Sequence, residues 1–384
     1  MIEQRSVVVV GAGPVGLSLA LGLGRSGVDV LVLEQEAGTA EHSRAPAIWS
    51  KTQEILAELG VLEQFVEEGM LLPRIELWDA DRERVLLCLP IEELRDETAY
   101  ARLLVLPQSK TEQLLYAALR KTTAAELRFA CAVEELIQGP SGVEVHYRRQ
   151  GRKACVRGRF VAGCDGAHST VREALGARLT GITYGMQAAL ADIVISGGGH
   201  LRFPRLTTRP NLAVGLRIDT DLWRLILPFS GSGEQTPLEK RIDAAVRSLF
   251  SRRAYQTVWK SEFHLHRRIS SRWVDGRIVL AGDAAHLNSP VGGEGMNAGI
   301  MDAALLRDAL VEALADKPGT PLADYAARRR RAVEFGVNPF TDRLTRMLFA
   351  ANGRFVRPMF KGAAIILAIG PLRRRFLRRL AMLE

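Results

Sequence analysis

Ser6-Val7-Val8-Val9-Val10 is an almost unbroken β-branched run, and Gly11-Ala12-Gly13-Pro14-Val15-Gly16 follows it at once. No other feature of the chain narrows its fold as far. A continuous apolar run suits a strand buried on both faces of a parallel sheet. Pro14 to Leu21 then reads as a helix with proline in its first turn. In such a turn Gly11 permits the tight bend, Gly13 lets the backbone approach a pyrophosphate, and Gly16 lets the helix pack on the strand. The helix N-terminus faces the negative charge. Val28 to Glu34 reads as a second strand ending in an acid. Glu34, with Gln35 beside it, lies about 20 residues past the glycines, where a carboxylate accepts from a ribose diol. Strand, turn, helix, strand and acid in that sequence outweigh the bland reading of a ligand-free glycine turn.

Two further glycine motifs follow apolar runs and read as strand ends opening into loops. They are Gly163-Cys164-Asp165-Gly166-Ala167-His168-Ser169 and Ala281-Gly282-Asp283-Ala284-Ala285-His286. Ile278 to Ala281 has the character of a buried strand, with Asp283 emerging where it can accept from a sugar-like hydroxyl. Gly292, Gly293 and Gly295 leave room for a flat ring to lie against backbone. Amides at the start of a helix from Gly295 to Leu306 would stabilise negative charge on that ring. The first motif leaves FAD and NAD both open. Its place at the N-terminus favours FAD as the tightly held cofactor.

The three motifs in this order resemble those of the para-hydroxybenzoate hydroxylase family, the single-component flavoprotein aromatic monooxygenases. The likeness runs to about residue 320 and includes Pro290-Val291-Gly292-Gly293-Glu294-Gly295-Met296-Asn297. It implies an α/β architecture: a Rossmann-type FAD-binding domain, an inserted mixed β-sheet substrate domain and a C-terminal helical region. The expected division gives the FAD domain residues 1–74, 102–178 and 267–322. The substrate domain takes 75–101 and 179–266, and 323–384 form the basic helical region. The resemblance assigns Gly11, Gly13, Pro14, Val15, Gly16, Glu34, Gln35, Gly282, Asp283, Gly292, Gly293, Gly295, Met296 and Asn297 to the cofactor. Asp165 would support both flavin and nicotinamide binding. Arg44 and Ala45, before a helix from Thr52 to Leu59, would meet the pyrophosphate or line the path of the moving ring. Gln108 would contact the cofactor, and the backbone of Val133 the adenine. Arg44 and Pro290 are the catalytic candidates, Pro290 by shaping the oxygen site. The implied reaction uses NADPH or NADH and O2 to hydroxylate an aromatic or polyketide-like small molecule through a flavin hydroperoxide.

Strand-like alternation over Arg74–Asp79, Arg84–Leu89, Ala191–Ile195, Leu212–Arg217 and Trp223–Pro228 fits a mixed sheet lying as a lid over the ring. Tyr184, Met186, Trp223 and Phe229 are weak pocket candidates, since such residues are more often core. Position 294 carries Glu where many relatives have Gln, which places a carboxylate near the ring or in solvent. His168 and His286 sit inside cofactor-loop motifs with no triad partner and read as structural.

At 384 residues the chain has room for about two domains. Its net charge of +9 is uneven. Residues 328–384 hold 13 Arg and one Lys against three acids, so the preceding body is slightly acidic. That pattern excludes a nucleic-acid binder with a basic face. It reads as a solvated basic tail packed on its own FAD domain, or as peripheral contact with an anionic membrane. No apolar run reaches the roughly 18 residues of a transmembrane helix, and no signal-peptide pattern opens the chain. The four cysteines lack metal or redox spacing, which suits a cytoplasmic, metal-free protein with reduced thiols. Monomer and homodimer both remain open. The alternatives are a geranylgeranyl-type lipid reductase and a hydroxylase of a membrane-borne quinone precursor. A flavin halogenase is disfavoured, because Leu222-Trp223-Arg224-Leu225-Ile226-Leu227-Pro228 lacks the paired tryptophans of that class.

Overall fold

The computed structural model describes residues 2–40, 45–230, 236–251, 253–316, 319–350 and 355–384. Five parallel strands form the heart of its first sheet. Their order is Ile278–Leu280, Arg152–Gly163, Glu3–Val10, Val30–Leu33 and Ala125–Arg128. Val7 to Val9 and all of Val30–Leu33 are fully buried, as a two-faced parallel sheet requires. Glu3–Val10 has its sequence neighbour Val30–Leu33 on one side and the mid-chain strand Arg152–Gly163 on the other. Strand order reverses at that seam, where open α/β sheets bind their ligands. The hairpin Cys131–Gly139 and Gly142–Arg149 extends the sheet outward from Arg152–Gly163.

A second sheet of eight strands draws on residues 74–90, 179–230, 255–270 and 286–287. Its longest pair is Leu179–Ile195 against Tyr255–Ser270, antiparallel. Tyr255–Ser270 was not among the expected strands, although Trp259, Phe263 and Leu265 alternate with Lys260, Glu262, His264 and His266 as the two faces of a strand do. Helix Leu238–Phe250 covers one face of the sheet, burying Ile242, Val246, Leu249 and Phe250 against Trp223, Leu225 and Leu227. By the alternation of strand side chains, Leu190, Asp192, Arg224 and Ile226 lie on the opposite face. The two sheets are stitched together where His286–Leu287, leaving the third glycine motif, pairs with Arg268 and Ile269.

The C-terminal region is helical: Pro321–Ala332, Asn338–Ala350, Val356–Leu367 and Gly370–Leu380, with a π-turn at Val333–Val337. The expectation of a solvated basic face is corrected in part. Arg373 pairs with Glu93 at 2.9 Å, Arg374 with Asp96 and Glu97, and Arg378 with Glu97 at 3.2 Å. Arg357 pairs with Asp79 at 2.9 Å and with Asp81. With Arg329 on Asp302 and Arg379 on Glu294, six of the tail's 14 basic side chains are, among the described residues, set against carboxylates of the preceding body, while Arg328, Arg331, Lys361 and Arg375 are exposed. Leu367, Leu377, Leu380 and Met382 share a core with Trp49, Leu87, Ile91 and Leu94. Among the described residues no helix is long and apolar enough to cross a membrane.

Candidate active site

The first glycine loop lies on the seam of the parallel sheet. Gly11 holds φ +100°, and a Cβ there would fall 2.5 Å from the Cys164 carbonyl oxygen. A Cβ on Gly16 would fall 2.0 Å from the Gly11 carbonyl oxygen, so helix and turn touch through backbone alone. At Gly13 a Cβ would meet nothing within 4 Å. No side chain caps the helix Pro14–Arg25 at Gly13, so its first amides point into open space. An open glycine below uncapped amides is the cradle a pyrophosphate fits. The Glu34 carboxylate closes over the turn, accepting from Ala12 N at 2.6 Å and Glu36 N at 2.9 Å. It keeps lone pairs for a ribose hydroxyl.

Val15 is the point on which the motifs converge. A Cβ on Gly282 would lie 2.9 Å from Val15 Cγ2, and one on Gly299 would lie 2.5 Å from the same atom. The third motif and the helix after it are thus packed onto the first at glycine-only distances. Arg172 joins the second motif to the third, donating to Ala167 O at 2.8 Å and to Ala284 O at 3.1 Å. Asp165 accepts from Ser169 Oγ at 2.5 Å and Val171 N at 3.1 Å, so its carboxylate braces the short helix Thr170–Ala174. Burial pushes the Asp165 carboxyl up, against the pull of those bonds.

Behind the third motif stands a buried cluster that sequence reasoning missed. Asp302, fully buried in helix Gly295–Leu314, accepts from Gly282 N at 2.9 Å, bonds His286 Nε2 at 2.7 Å and pairs with Arg329 Nε at 2.5 Å. Burial raises its carboxyl, but the charges of Arg329 and His286 outweigh that and hold it down at about 2. His286 also stacks on Trp273 at 5.5 Å. The signal for Asp302 was a lone acid on the apolar face of a helix, beside Ala298, Ala303 and Leu306. His286 is braced on both sides, and His168 lies exposed on its loop.

The loop 290–293 is held by the residues around it. Asn297 Nδ2 donates to Ala47 O at 2.8 Å and Gly293 O at 2.7 Å, while its Oδ1 accepts from Trp49 N at 2.9 Å. Trp49 Nε1 donates to Gly292 O at 3.0 Å. Gly292 and Gly293 sit at φ +98° and +66°. Gly295 has no atom within 4 Å of its Cβ position, which leaves the first turn of its helix open to a ring. Asp283 and Pro290 are exposed at the mouth, and Met296 is buried below it. Glu294 does not reach solvent. It is fully buried and pairs with both terminal nitrogens of Arg379, at 3.2 and 3.1 Å. Burial drives its carboxyl up to about 7 in spite of Arg379.

Of the remaining expected residues, Arg44 lies outside the described residues, Ala45 is half-buried and Gln35 is exposed. Gln108 opens helix Gln108–Leu119 and donates to Glu112 at 3.0 Å, and Ala40 N donates to the other oxygen of Glu112 at 3.0 Å. Val133 stands near the start of Cys131–Gly139, where Cys131 N bonds Glu34 O. Two pocket candidates are corrected. Trp223 is core against Phe250 at 4.8 Å, and Phe229 lies under Arg241, both on the face covered by Leu238–Phe250. Tyr184 donates to Asp342 at 2.6 Å, and Met186 packs beside it. Cys164 is buried and its thiol pushed far up by burial, so it is no nucleophile. Glu144, His146 and Cys155 gather their ligand atoms within 4.8 Å on the outer hairpin, but Arg157 already pairs with Glu144 at 2.5 Å.

A seam-located glycine loop, two motif loops packed on it and a second sheet joined through His286–Leu287 define a dinucleotide-binding flavoprotein. The chain belongs to the FAD binding domain family, whose model matches residues 4–338. It is 30% identical over 368 residues to para-nitrophenol 4-monooxygenase of Pseudomonas sp. (strain WBC-3), covering 93% of this chain and 91% of that protein. It is 31% identical to 6-methylpretetramide 4-monooxygenase of Streptomyces rimosus, covering 97% of this chain and 68% of the other. Among solved structures, p-nitrophenol 4-monooxygenase from Pseudomonas putida DLL-E4 superposes with a TM-score of 0.90 at 28% identity, covering 99% of each chain. The protein is an FAD-dependent monooxygenase of the aromatic hydroxylase type, and its fold is the expected Rossmann-type FAD domain with a substrate domain.

Proposed function

We propose that the protein hydroxylates a small, electron-rich aromatic or polyketide-like compound with O2, drawing electrons from NADPH or NADH. The observation that carries the reading is the convergence of Gly16, Gly282 and Gly299 around Val15, with loop 290–293 held by Asn297 and Trp49 and the strand His286–Leu287 before it paired with the second sheet. FAD, when bound, supplies hydride acceptance and O2 activation. The chain's residues do the rest. Gly13 and the amides after it hold the pyrophosphate, and Glu34 the ribose. Asp283 takes a ribitol hydroxyl. Pro290 borders the ring, Gln108 contacts the cofactor and Val133 its adenine, Asp165 keeps the second loop in place, and Arg44 is assigned a catalytic role. Amides at the start of Gly295–Leu314 favour negative charge on the reduced ring. The sheet face opposite Leu238–Phe250 covers the substrate and excludes water. The same assignment gives the FAD domain residues 1–74, 102–178 and 267–322, and the substrate domain 75–101 and 179–266.

Anaerobic reduction by NADPH and NADH, with and without a panel of phenols and polyketide aromatics, followed by an oxygen pulse, tests this. Faster reduction with substrate and an oxygenated product support it. Reduction without oxygenated product sinks it and favours a lipid reductase.

One observation favours peripheral membrane contact as a second feature of the same enzyme. Ile365, Ile366, Ile369 and Leu372 are exposed at the corner between the last two helices, beside exposed Lys361 and Arg375. An apolar corner with a basic rim suits an anionic bilayer surface. Flotation with anionic vesicles that is lost in an Ile365→Ser/Ile366→Ser variant supports it; absence of flotation in the intact chain removes it.

A further inference from the structure

The last helix reaches the flavin-side loop through one residue. Arg379, near the end of Gly370–Leu380, projects its guanidinium onto Glu294, which separates Gly293 from Gly295. The arginine also lies over the Phe340 ring at 4.5 Å, and Phe340 contacts Phe376 at 6.0 Å. Lys51 N donates to Ala381 O at 3.2 Å, tying the same end to the helix Ser50–Glu58. Glu294 has no exposed surface, and among the described residues its carboxylate pairs with Arg379 alone. A carboxylate in such a place stays charged only while its cation is present.

We infer that Glu294 and Arg379 form a charge-neutral positioning pair by which the C-terminal helix sets both the shape and the electrostatics of the flavin-side loop. The inference rests on reading residues 290–297 as the flavin-side loop. Glu294 anchors the loop, Arg379 cancels its charge, and the ring experiences neither ion alone. Neither residue takes part in the chemistry. With Glu294 alone neutralised by substitution, the guanidinium is left as a bare cation beside a ring that becomes anionic on reduction. The pair also explains how this chain holds a buried acid at position 294: the acid and its counter-ion arrive from parts of the chain 85 residues apart.

The test uses the full-length, FAD-loaded protein at about pH 8, above the raised range of the Glu294 carboxyl. Its readouts are the flavin midpoint potential, FAD affinity and visible spectrum. Glu294→Gln should favour reduced over oxidised flavin by about tenfold, as a unit charge within about 10 Å supplies at an effective dielectric constant near 20. Arg379→Met should leave the potential near the parent value, because the stranded carboxyl takes up a proton. Glu294→Gln/Arg379→Met should return it there too, and Arg379→Lys should behave as the parent. A thermal melt of each variant confirms folding. An unchanged potential in a folded Glu294→Gln variant overturns the inference, as does a shift that the double variant fails to cancel. Gly293→Ala separates this from failure of the loop reading. Its Cβ would lie 3.0 Å from Ala47 Cβ at φ +66°. If that change alters neither spectrum nor FAD affinity, the loop is not the flavin's, and the pair loses its role with it.

Discussion

Replacing Asp302 by Asn should destabilise the protein by about 3–5 kcal/mol, the usual cost of stranding one member of a buried ion pair. The structure shows where the loss arises. Asp302 answers three groups at once: Gly282 N, His286 Nε2 and Arg329 Nε. The asparagine oxygen can serve one or two of them, and its NH2 group then faces a donor. His286 can change tautomer to accept, but the Gly282 amide cannot. One backbone donor left unmet costs about 1–3 kcal/mol by itself, and Arg329 is left 4% exposed with no countercharge. These contributions overlap, so their sum is an upper bound. Because Gly282 packs on Val15, the damage should spread to FAD affinity. Urea unfolding of FAD-free protein, followed by fluorescence, measures the first effect, and flavin titration measures the second. A loss below about 1 kcal/mol with unchanged FAD binding would refute the view that this cluster braces the third glycine loop.

The same carboxyl gives a pH prediction. Its folded value near 2 lies below the ordinary 3.8, so the stability it contributes is complete above about pH 4 and drains away as pH falls toward 2. Acid titration of stability should therefore be less steep in Asp302→Asn than in the parent across that window, and equal slopes would contradict it. Gly16→Ala places a Cβ 2.0 Å from the Gly11 carbonyl oxygen, so FAD affinity should fall by roughly tenfold to a hundredfold as the helix is forced off the strand. Asn297→Asp removes both donations, to Ala47 O and Gly293 O, and buries a charge. It should lower stability by about 2–4 kcal/mol and broaden the flavin spectrum, whereas an unchanged melt would show that the bracket is dispensable. Arg172→Met should loosen the second loop from the third, and limited proteolysis near residues 165–170 should become faster; parent-like cleavage would count against that link.

The nucleotide half of this protein was local enough to read from residues alone. A run of β-branched valines, three glycines at fixed spacing and a downstream acid each act within one turn or one strand. Their backbone requirements leave few alternatives, which is why Gly11, Gly16 and Glu34 appear where the pattern put them. The second-sheet strands with clean alternation were legible for the same reason, and Tyr255–Ser270 carries the same alternation on fewer apolar residues. What only the tertiary structure decided depends on pairs distant in sequence. Asp302 and Arg329 look like ordinary helix residues until both are buried behind Gly282. Glu294 looked like a choice between ring and solvent, and the last helix ruled out solvent by burying it against Arg379. The basic tail read as a solvated face because local charge counts carry no record of the carboxylates at 79, 81, 93, 96 and 97. Backbone preference is written residue by residue, whereas charge compensation in a low-dielectric interior is set by whatever the fold brings alongside.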